Sequence, residues 1–213
     1  MAKPSNTDKA ADKAKEVATE NGVHNPSGAA IAGFAALYLA FIPITSSITR
    51  RDSVVQSAIG LTLRLIPGLG PHPLPASRQI PALSALYTFF AFGASGAVSA
   101  AGQAMGMPEG LDNNSPRKHI HKLEGLPLRL RSAHYGLIEN FAGFALAAGA
   151  AMAVDPQAQN QQVVNLLGLH VLLKVVVYYA SYLADVPPPR TLSHVMATSA
   201  VVNVLWRLAR AGV

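Results

Sequence analysis

The sequence predicts an all-α integral membrane protein, a four-helix bundle with an additional N-terminal hydrophobic helix. Of its 213 residues 50% are hydrophobic and only 13% are charged, whereas about 25% are charged in an ordinary soluble domain. Several apolar runs approach or exceed the 20 or so residues that a helix needs to cross a bilayer. Basic residues lie mostly between the runs, as is typical of charges that set membrane topology.

The first element, residues 1–26, is a polar tail. It contains Asp8, Asp12, Glu16 and Glu20. It lacks the apolar centre of a secretory signal, and it is too acidic for a transit peptide. We expect a cytosolic segment that is disordered or weakly helical.

Residues 27–79 form an N-terminal extension before the bundle. The apolar run 28–48 is a candidate crossing, and Pro43 within it predicts a kink or a re-entrant turn. The next apolar piece, VVQSAIGLTLRLI, is too short to span and is followed by the turn-rich PGLGPHPLPAS. An interfacial helix and a linker are therefore expected.

Residues 80–213 contain the predicted bundle. We predict spans at 80–105, 126–154, 163–184 and 191–206, the last one ending in an interfacial anchor of Trp206, Arg207 and Arg210. The first span carries glycines and alanines that allow close helix approach. The loop before residue 126 is basic, whereas DPQAQNQQ at 155–162 has no Lys or Arg. The basic loop and the N-terminus are therefore expected on the cytosolic side.

Charge and cysteine content limit the functions that the sequence allows. Lys and Arg number 17 against 11 acidic residues, for a net charge of +6. Because these basic residues flank apolar runs, they favour contact with lipid headgroups, and nucleic-acid binding is not expected. The chain has no cysteine, so any thiol chemistry would use an external thiol.

The span 126–154 carries the most informative polar residues. At helical spacing Ser132, Tyr135, Gly136 and Glu139 share one face. A carboxylate inside a span costs on the order of 2.5 to 3.5 kcal/mol, so such groups are usually functional or paired. Glu139 is therefore predicted to bind the amino group of an amphiphilic ligand. The alternative is an interhelical salt bridge.

Two arginines precede this face. Arg129 and Arg131 lie within the turn before it begins. A guanidinium group there would hold a ligand carboxylate or thiolate.

A second polar stripe lies on the following span. Lys174, Tyr178, Tyr182 and Asp185 fall within an arc of about 80° on a regular helix. The tyrosine hydroxyls would donate to a ligand sulfur or carboxylate, and Arg190 would add charge. The alternative is an interfacial aromatic belt with a snorkelling lysine.

The histidines do not predict a metal site. His119 and His121 near Glu124 lack a further ligand cluster. His134 lies about 140° from Glu139 on a helix, which excludes a direct pair. His170 and His194 are expected to be hydrogen-bonded packing residues.

Three segments together resemble the MAPEG family, membrane-associated proteins of eicosanoid and glutathione metabolism. They are DNNSPR (112–117), RSAHYGLIENF (131–141) and YYASYLADVPPPRTLS (178–193). Their order and spacing match the family over residues 80–213. Glu139, Tyr178, Tyr182 and Arg190 stand at matching positions. Ser132 and Gly136 stand where the family has arginine and asparagine.

The resemblance implies a four-helix membrane bundle, assembled as a homotrimer, with glutathione as co-substrate between subunits near the cytosolic face. It implies conjugation or peroxide reduction of a lipophilic small molecule, as in a membrane-bound glutathione transferase or peroxidase. If the host is eukaryotic, the endoplasmic reticulum or another intracellular membrane is expected. The candidate binding residues are Arg117, Arg131, Glu139, Tyr178, Tyr182 and Arg190, and the candidate catalytic residues are Arg129, Arg131 and Tyr182.

Two further readings of the sequence stay open. One is a non-catalytic membrane scaffold or interaction protein that retains the bundle. This reading is suggested by Gly136, which stands where the family has a polar residue. The other is a lipid-modifying or isomerase-like activity without a thiol.

Overall fold

The computed structural model describes residues 6–69, 72–118 and 120–210, and every regular element in these ranges is helical. The chain divides into two units, Met1–Leu37 and Tyr38–Val213. The first unit contains helix α1 (Asn6–Glu20) and the 3₁₀ helix Pro26–Phe34. Helix α1 lies in the segment expected to be a disordered or weakly helical tail, and its side chains from residue 12 onward are almost all exposed.

Short helices lead from the first unit into the second, which then contains four long ones. Helix α2 (Ala35–Ala40) crosses the boundary between the units. The remaining helices are α3 (Ile42–Ile48), α4 (Val54–Arg64), α5 (Ala76–Gly106), α6 (Gly125–Val154), α7 (Gln161–Leu183) and α8 (Pro187–Arg210). Two of the long helices contain a π-helical turn, Phe89–Ala94 in α5 and Leu173–Tyr178 in α7.

Four helical segments among the described residues are long and apolar enough to cross a membrane. They are Ser27–Ile48, Ala76–Gly106, Gly125–Val154 and Gln161–Leu183. Helix α8 is more polar, with Arg190, His194, Asn203 and Arg207 along it, but it has 24 residues and packs on α6 and α7. The predicted fold class, an all-α membrane bundle with an additional N-terminal hydrophobic helix, is confirmed.

The four long helices run up and down in alternation. Gly102 of α5 packs on Leu130 of α6, and His170 of α7 binds Ala197 of α8. We call the end of the bundle with residues 107–124 the loop end, and the end with residues 155–160 the turn end. The starts of α6 and α8 and the last turn of α7 lie at the loop end.

Aromatic side chains form the centre of the bundle. The Tyr87 ring meets that of Phe144 edge-on at 5.0 Å, and its hydroxyl donates to the Leu137 carbonyl oxygen at 3.3 Å. His170 stacks on Phe144 with 5.3 Å between ring centroids. Because Tyr87 lies on α5, Phe144 on α6 and His170 on α7, this cluster joins three helices.

The part of the extension from α3 to α4 packs on the bundle near the turn end. Asn203 of α8 donates to the Ile42 carbonyl oxygen at 3.2 Å, and Asn165 of α7 donates to the Thr49 carbonyl oxygen at 3.1 Å. Ile59 of α4 is buried in close contact with Gly168, which leaves no room for a side chain there. Helix α4, which the sequence predicts as interfacial, therefore has one buried face.

Candidate functional site

Helix α6 presents Glu139 on the outside of the bundle. Glu139 is exposed, Gly136 one turn earlier is buried, and Ser132 is half-buried. No described cation lies within salt-bridge distance of Glu139. The alternative of an interhelical salt bridge within the subunit is therefore not what the described residues show.

A column of two aromatic rings with a cation at each end runs beside Glu139 toward the loop end. The Lys174 ammonium lies 4.1 Å from the centroid of the Tyr178 ring. The Tyr178 and Tyr182 rings meet edge-on at 5.1 Å, and the Arg190 guanidinium lies 4.6 Å from the Tyr182 centroid. Each cation–π contact contributes about 0.5 to 2 kcal/mol depending on desolvation. The column fixes the positions of both phenol rings.

The packing of α6 against α7 holds Tyr178 in place. The Tyr178 hydroxyl lies directly against the Cα of Gly136, in the space where a Cβ would otherwise lie. The π-helical turn Leu173–Tyr178 contains both Lys174 and Tyr178, and such turns are frequent at functional sites. Tyr178 is consequently almost fully buried, and it closes the inner side of the site.

A cleft of about 220 Å³ opens beside this column. It is lined by Tyr178, Tyr182, Arg190, Thr191 and His194. Helix α7 supplies the two phenols, and the first two turns of α8 supply the cation, a hydroxyl and an imidazole. Every side chain that lines the cleft therefore carries a polar group, although α7 is strongly apolar.

Behind the cleft a hydrogen-bonded chain crosses three helices. Lys174 is fully buried, and its Nζ donates to Nδ1 of His194 at 2.9 Å. This assigns the ring proton to Nε2 of His194, which donates to the Tyr38 hydroxyl at 3.2 Å. Lys174 is thus a buried cation that has polar partners and no salt bridge to a described acid.

Glu139 is linked by electrostatic interactions to the buried lysine and to the column of rings. Glu139 is close enough to interact with both Lys174 and Tyr178. The cleft therefore brings together three of the predicted residues, Tyr178, Tyr182 and Arg190, and Glu139 interacts electrostatically with the residues beside it. The structure adds Lys174, His194 and Tyr38, which were not among the predicted binding residues.

The other predicted arginines do not line the cleft. Arg129 is 3.4 Å from a carboxylate oxygen of Asp185, at the end of α7. Arg131 stacks over the Tyr135 ring with 4.4 Å to its centroid, and Arg117 is exposed in the loop before α6. All three are at the loop end, which is also the open end of the site.

The Arg129 pair stabilises an unusual helix end. Asp185 has φ +57°, the left-handed conformation that favours glycine, and the Val186 N–H donates to the Ser181 carbonyl oxygen at 2.9 Å. The sequence places Asp185 on the stripe with Tyr178 and Tyr182. In the structure the stripe ends at Tyr182, because Asp185 has left the helical path and turned toward Arg129.

Several other polar side chains of the spans have hydrogen-bond partners within the chain. His134 Nδ1 is 2.9 Å from the Ser95 hydroxyl, so it forms no pair with Glu139, as expected. His170 has the packing role predicted for it, but His194 also lines the cleft. Asn140 donates to the Gly136 carbonyl oxygen at 2.7 Å.

The described residues hold no cluster of three or more potential metal ligands. His119, half of the His-x-His pair considered from the sequence, lies outside the described residues.

Lys174 and His194 could have been recognised from the sequence by one signal. Each is an ionisable residue in the interior of a long helix, about one to three turns from the loop end, and their helices follow one another in the chain. Tyr38 gives no such signal because nothing in the order of residues indicates that it lies beside His194.

The comparisons with known proteins agree with this architecture. A family model described as the MAPEG family matches residues 80–210, whereas no curated protein and no solved structure matches the chain. The match covers more than half of the 213 residues and contains every residue that lines the cleft. The chain therefore belongs to the MAPEG family.

Proposed function

We propose that this membrane protein binds glutathione, or a related thiol with amino and carboxylate groups, in the cleft beside Glu139. The observation that carries the proposal is the meeting of one free carboxylate, two phenols, an arginine and a buried lysine at one place in an apolar bundle. Burying such groups is costly unless something pairs with them. A zwitterionic thiol offers a counter-charge to each.

Each side chain has a defined role in this proposal. Glu139 accepts hydrogen bonds from the ligand amino group, and Arg190 holds a carboxylate. The Tyr182 hydroxyl donates to the sulfur, and the field of Lys174 behind Tyr178 raises the thiolate fraction at neutral pH. The thiolate then attacks a lipophilic electrophile from the bilayer, and a C–S bond forms as the leaving group, such as the halide of an aryl halide, departs. With a peroxide the thiolate attacks an oxygen, the O–O bond breaks to release the alcohol, and a second glutathione converts the resulting sulfenic acid to the disulfide and water.

The location of Glu139 supports a site shared between subunits. Its carboxylate is exposed on the outside of the subunit, about 12 Å along α6 from Arg131 at 1.5 Å per residue. If that position faced lipid hydrocarbon, the carboxylate would destabilise the protein in the membrane. We therefore propose a homotrimer in which a neighbouring subunit covers Glu139 and the ligand, and in which Arg117, Arg129 and Arg131 bind a carboxylate at the open end.

One observation favours a second candidate, a non-catalytic scaffold. The Tyr178 hydroxyl fills the space beside Gly136, and the cleft within one subunit, about 220 Å³, is smaller than the usual ligand pocket of about 300 to 1,000 Å³. In this alternative, Glu139 would contact only a polar group of the neighbouring subunit.

Calorimetry on the purified protein in detergent distinguishes the two. Glutathione should bind saturably to the parent, and Glu139→Gln should weaken binding at least tenfold, because a neutral amide does not balance the ammonium group. Glu124→Gln, an exposed carboxylate just before α6 without a capping bond, should bind like the parent. Absence of saturable binding in the parent would support the scaffold instead.

Catalysis is tested separately with an aryl halide as electrophile. Tyr182→Phe removes only the hydroxyl, so we expect it to lower the turnover number with glutathione by tenfold or more while binding changes less. A variant that turns over like the parent would exclude Tyr182 from the chemistry.

A further inference from the structure

A second cleft lies at the turn end of the bundle, far from Glu139. Its volume is about 620 Å³, and it lies between α3 and the last turns of α8. Arg190 and Arg210 are at opposite ends of α8, about 30 Å apart at 1.5 Å per residue. This distance is close to the thickness of the hydrocarbon core, so the second cleft lies at the opposite membrane surface from the first.

The rim of this cleft carries two fixed cations. Arg207 is half-buried, and its Nε donates to the Asn203 Oδ1 at 3.0 Å while Nη2 donates to the Ser46 hydroxyl at 3.2 Å. Its Nη1 makes no hydrogen bond with a described residue. The Arg210 guanidinium lies 5.0 Å from the centroid of the Trp206 ring. Both guanidinium groups are therefore held in place, and each has donors without a hydrogen-bond partner among the described residues.

The floor of the cleft is apolar. Leu39, Ile42 and Pro43 line it on the side of the extension. Leu39 is 58% exposed, and Trp206 is 50% exposed. No acidic residue is among those that line the cleft in the described part of the chain. An occupant that complements this lining has an anionic head beside the arginines and an apolar chain along the floor.

We propose that this cleft binds an anionic phospholipid of the surrounding membrane. Arg207 and Arg210 hold its phosphate, Trp206 lies at the level of the headgroup, and an acyl chain lies on Leu39, Ile42 and Pro43. Indole rings prefer that level of the bilayer, and arginine suits phosphate because its planar group donates two parallel hydrogen bonds. The bound lipid then bridges α3 of the extension and α8 of the bundle.

The test uses the full chain in a neutral detergent with phosphatidylglycerol as probe and phosphatidylcholine as the zwitterionic comparison. Native mass spectrometry should show preferential retention of phosphatidylglycerol by the parent, and that lipid should raise the thermal unfolding midpoint. Arg210→Gln should weaken its binding about fivefold, as expected for one cation near an anionic headgroup. Arg78→Gln removes a charge from an exposed residue at the same end of the bundle and should bind like the parent.

Two further measurements complete the test. One distinguishes binding of a lipid from binding of a free anion, and the other distinguishes a loss of binding from a loss of folding. Inorganic phosphate without chains should not raise the midpoint, because it leaves the apolar floor uncovered. Leu39→Gln, on the exposed part of the floor, should weaken phosphatidylglycerol binding while Arg78→Gln does not. Equal retention of both lipids, full stabilisation by inorganic phosphate, or unchanged binding in Arg210→Gln would each overturn the proposal.

Discussion

Glu139 and Lys174 show how far the environment of a single residue can be predicted from the sequence. Glu139 can be selected from the sequence because a carboxylate in an apolar run has a known cost, and the structure leaves it exposed and without a salt bridge among the described residues. Lys174 looks like a snorkelling lysine in the sequence. It is in fact fully buried, since the π-helical turn aims it at His194 instead of the membrane surface.

We predict that Lys174→Met separates stability from ligand binding. Methionine fills a similar volume without a buried charge, so the free energy of unfolding should change by no more than about 1 kcal/mol. Glutathione affinity should fall about tenfold, because the cation behind Tyr178 is lost. Thermal unfolding and calorimetry on the same sample measure both.

Lys122→Met is the matched control, since Lys122 is exposed in the loop at the same end of the bundle. It should leave glutathione affinity unchanged. If both lysine variants bind glutathione like the parent, Lys174 has a packing role only.

At the scale of elements, the sequence predicts the helices well and their irregular turns poorly. Composition and length indicate each long helix, because about 20 apolar residues suffice. The π-helical turn Leu173–Tyr178 and the left-handed Asp185 depend on packing against α6 and on Arg129, which helical periodicity does not contain. The predicted stripe is therefore right for Lys174, Tyr178 and Tyr182, whereas Asp185 contacts Arg129.

The contact between α6 and α7 leads to a prediction at Gly136. Alanine there would gain up to about 1 kcal/mol of helix propensity, but its Cβ would overlap the Tyr178 hydroxyl, and overpacking costs about 1 to 3 kcal/mol. We therefore expect Gly136→Ala to destabilise the bundle by about 1 to 2 kcal/mol in detergent unfolding.

Two companion variants check the cause. Gly149→Ala lies on the same helix with no neighbouring atom within 4 Å, so it should be neutral or slightly stabilising. Tyr178→Phe in the Gly136→Ala background should recover part of the loss because the hydroxyl is gone. Equal destabilisation by the two alanine substitutions would contradict the packing explanation.

At the scale of the whole molecule, the bundle could be predicted, and three of the residues that line the candidate cleft were selected from the sequence, but the place of the extension could not be predicted. The family match begins at residue 80, yet Tyr38 bonds to His194 and α3 is held by Asn203. Such contacts join residues more than 150 positions apart, and no local pattern indicates them. They place part of the extension beside both clefts, so its sequence bears on the function of the bundle.

The most direct test of the central claim is a cryo-electron microscopy structure of the detergent-solubilised protein with glutathione added. The account predicts a homotrimer in which glutathione density contacts Glu139, Tyr182 and Arg190 where two subunits meet. An assembly in which Glu139 faces the detergent belt, with no ligand density in the cleft, would contradict it.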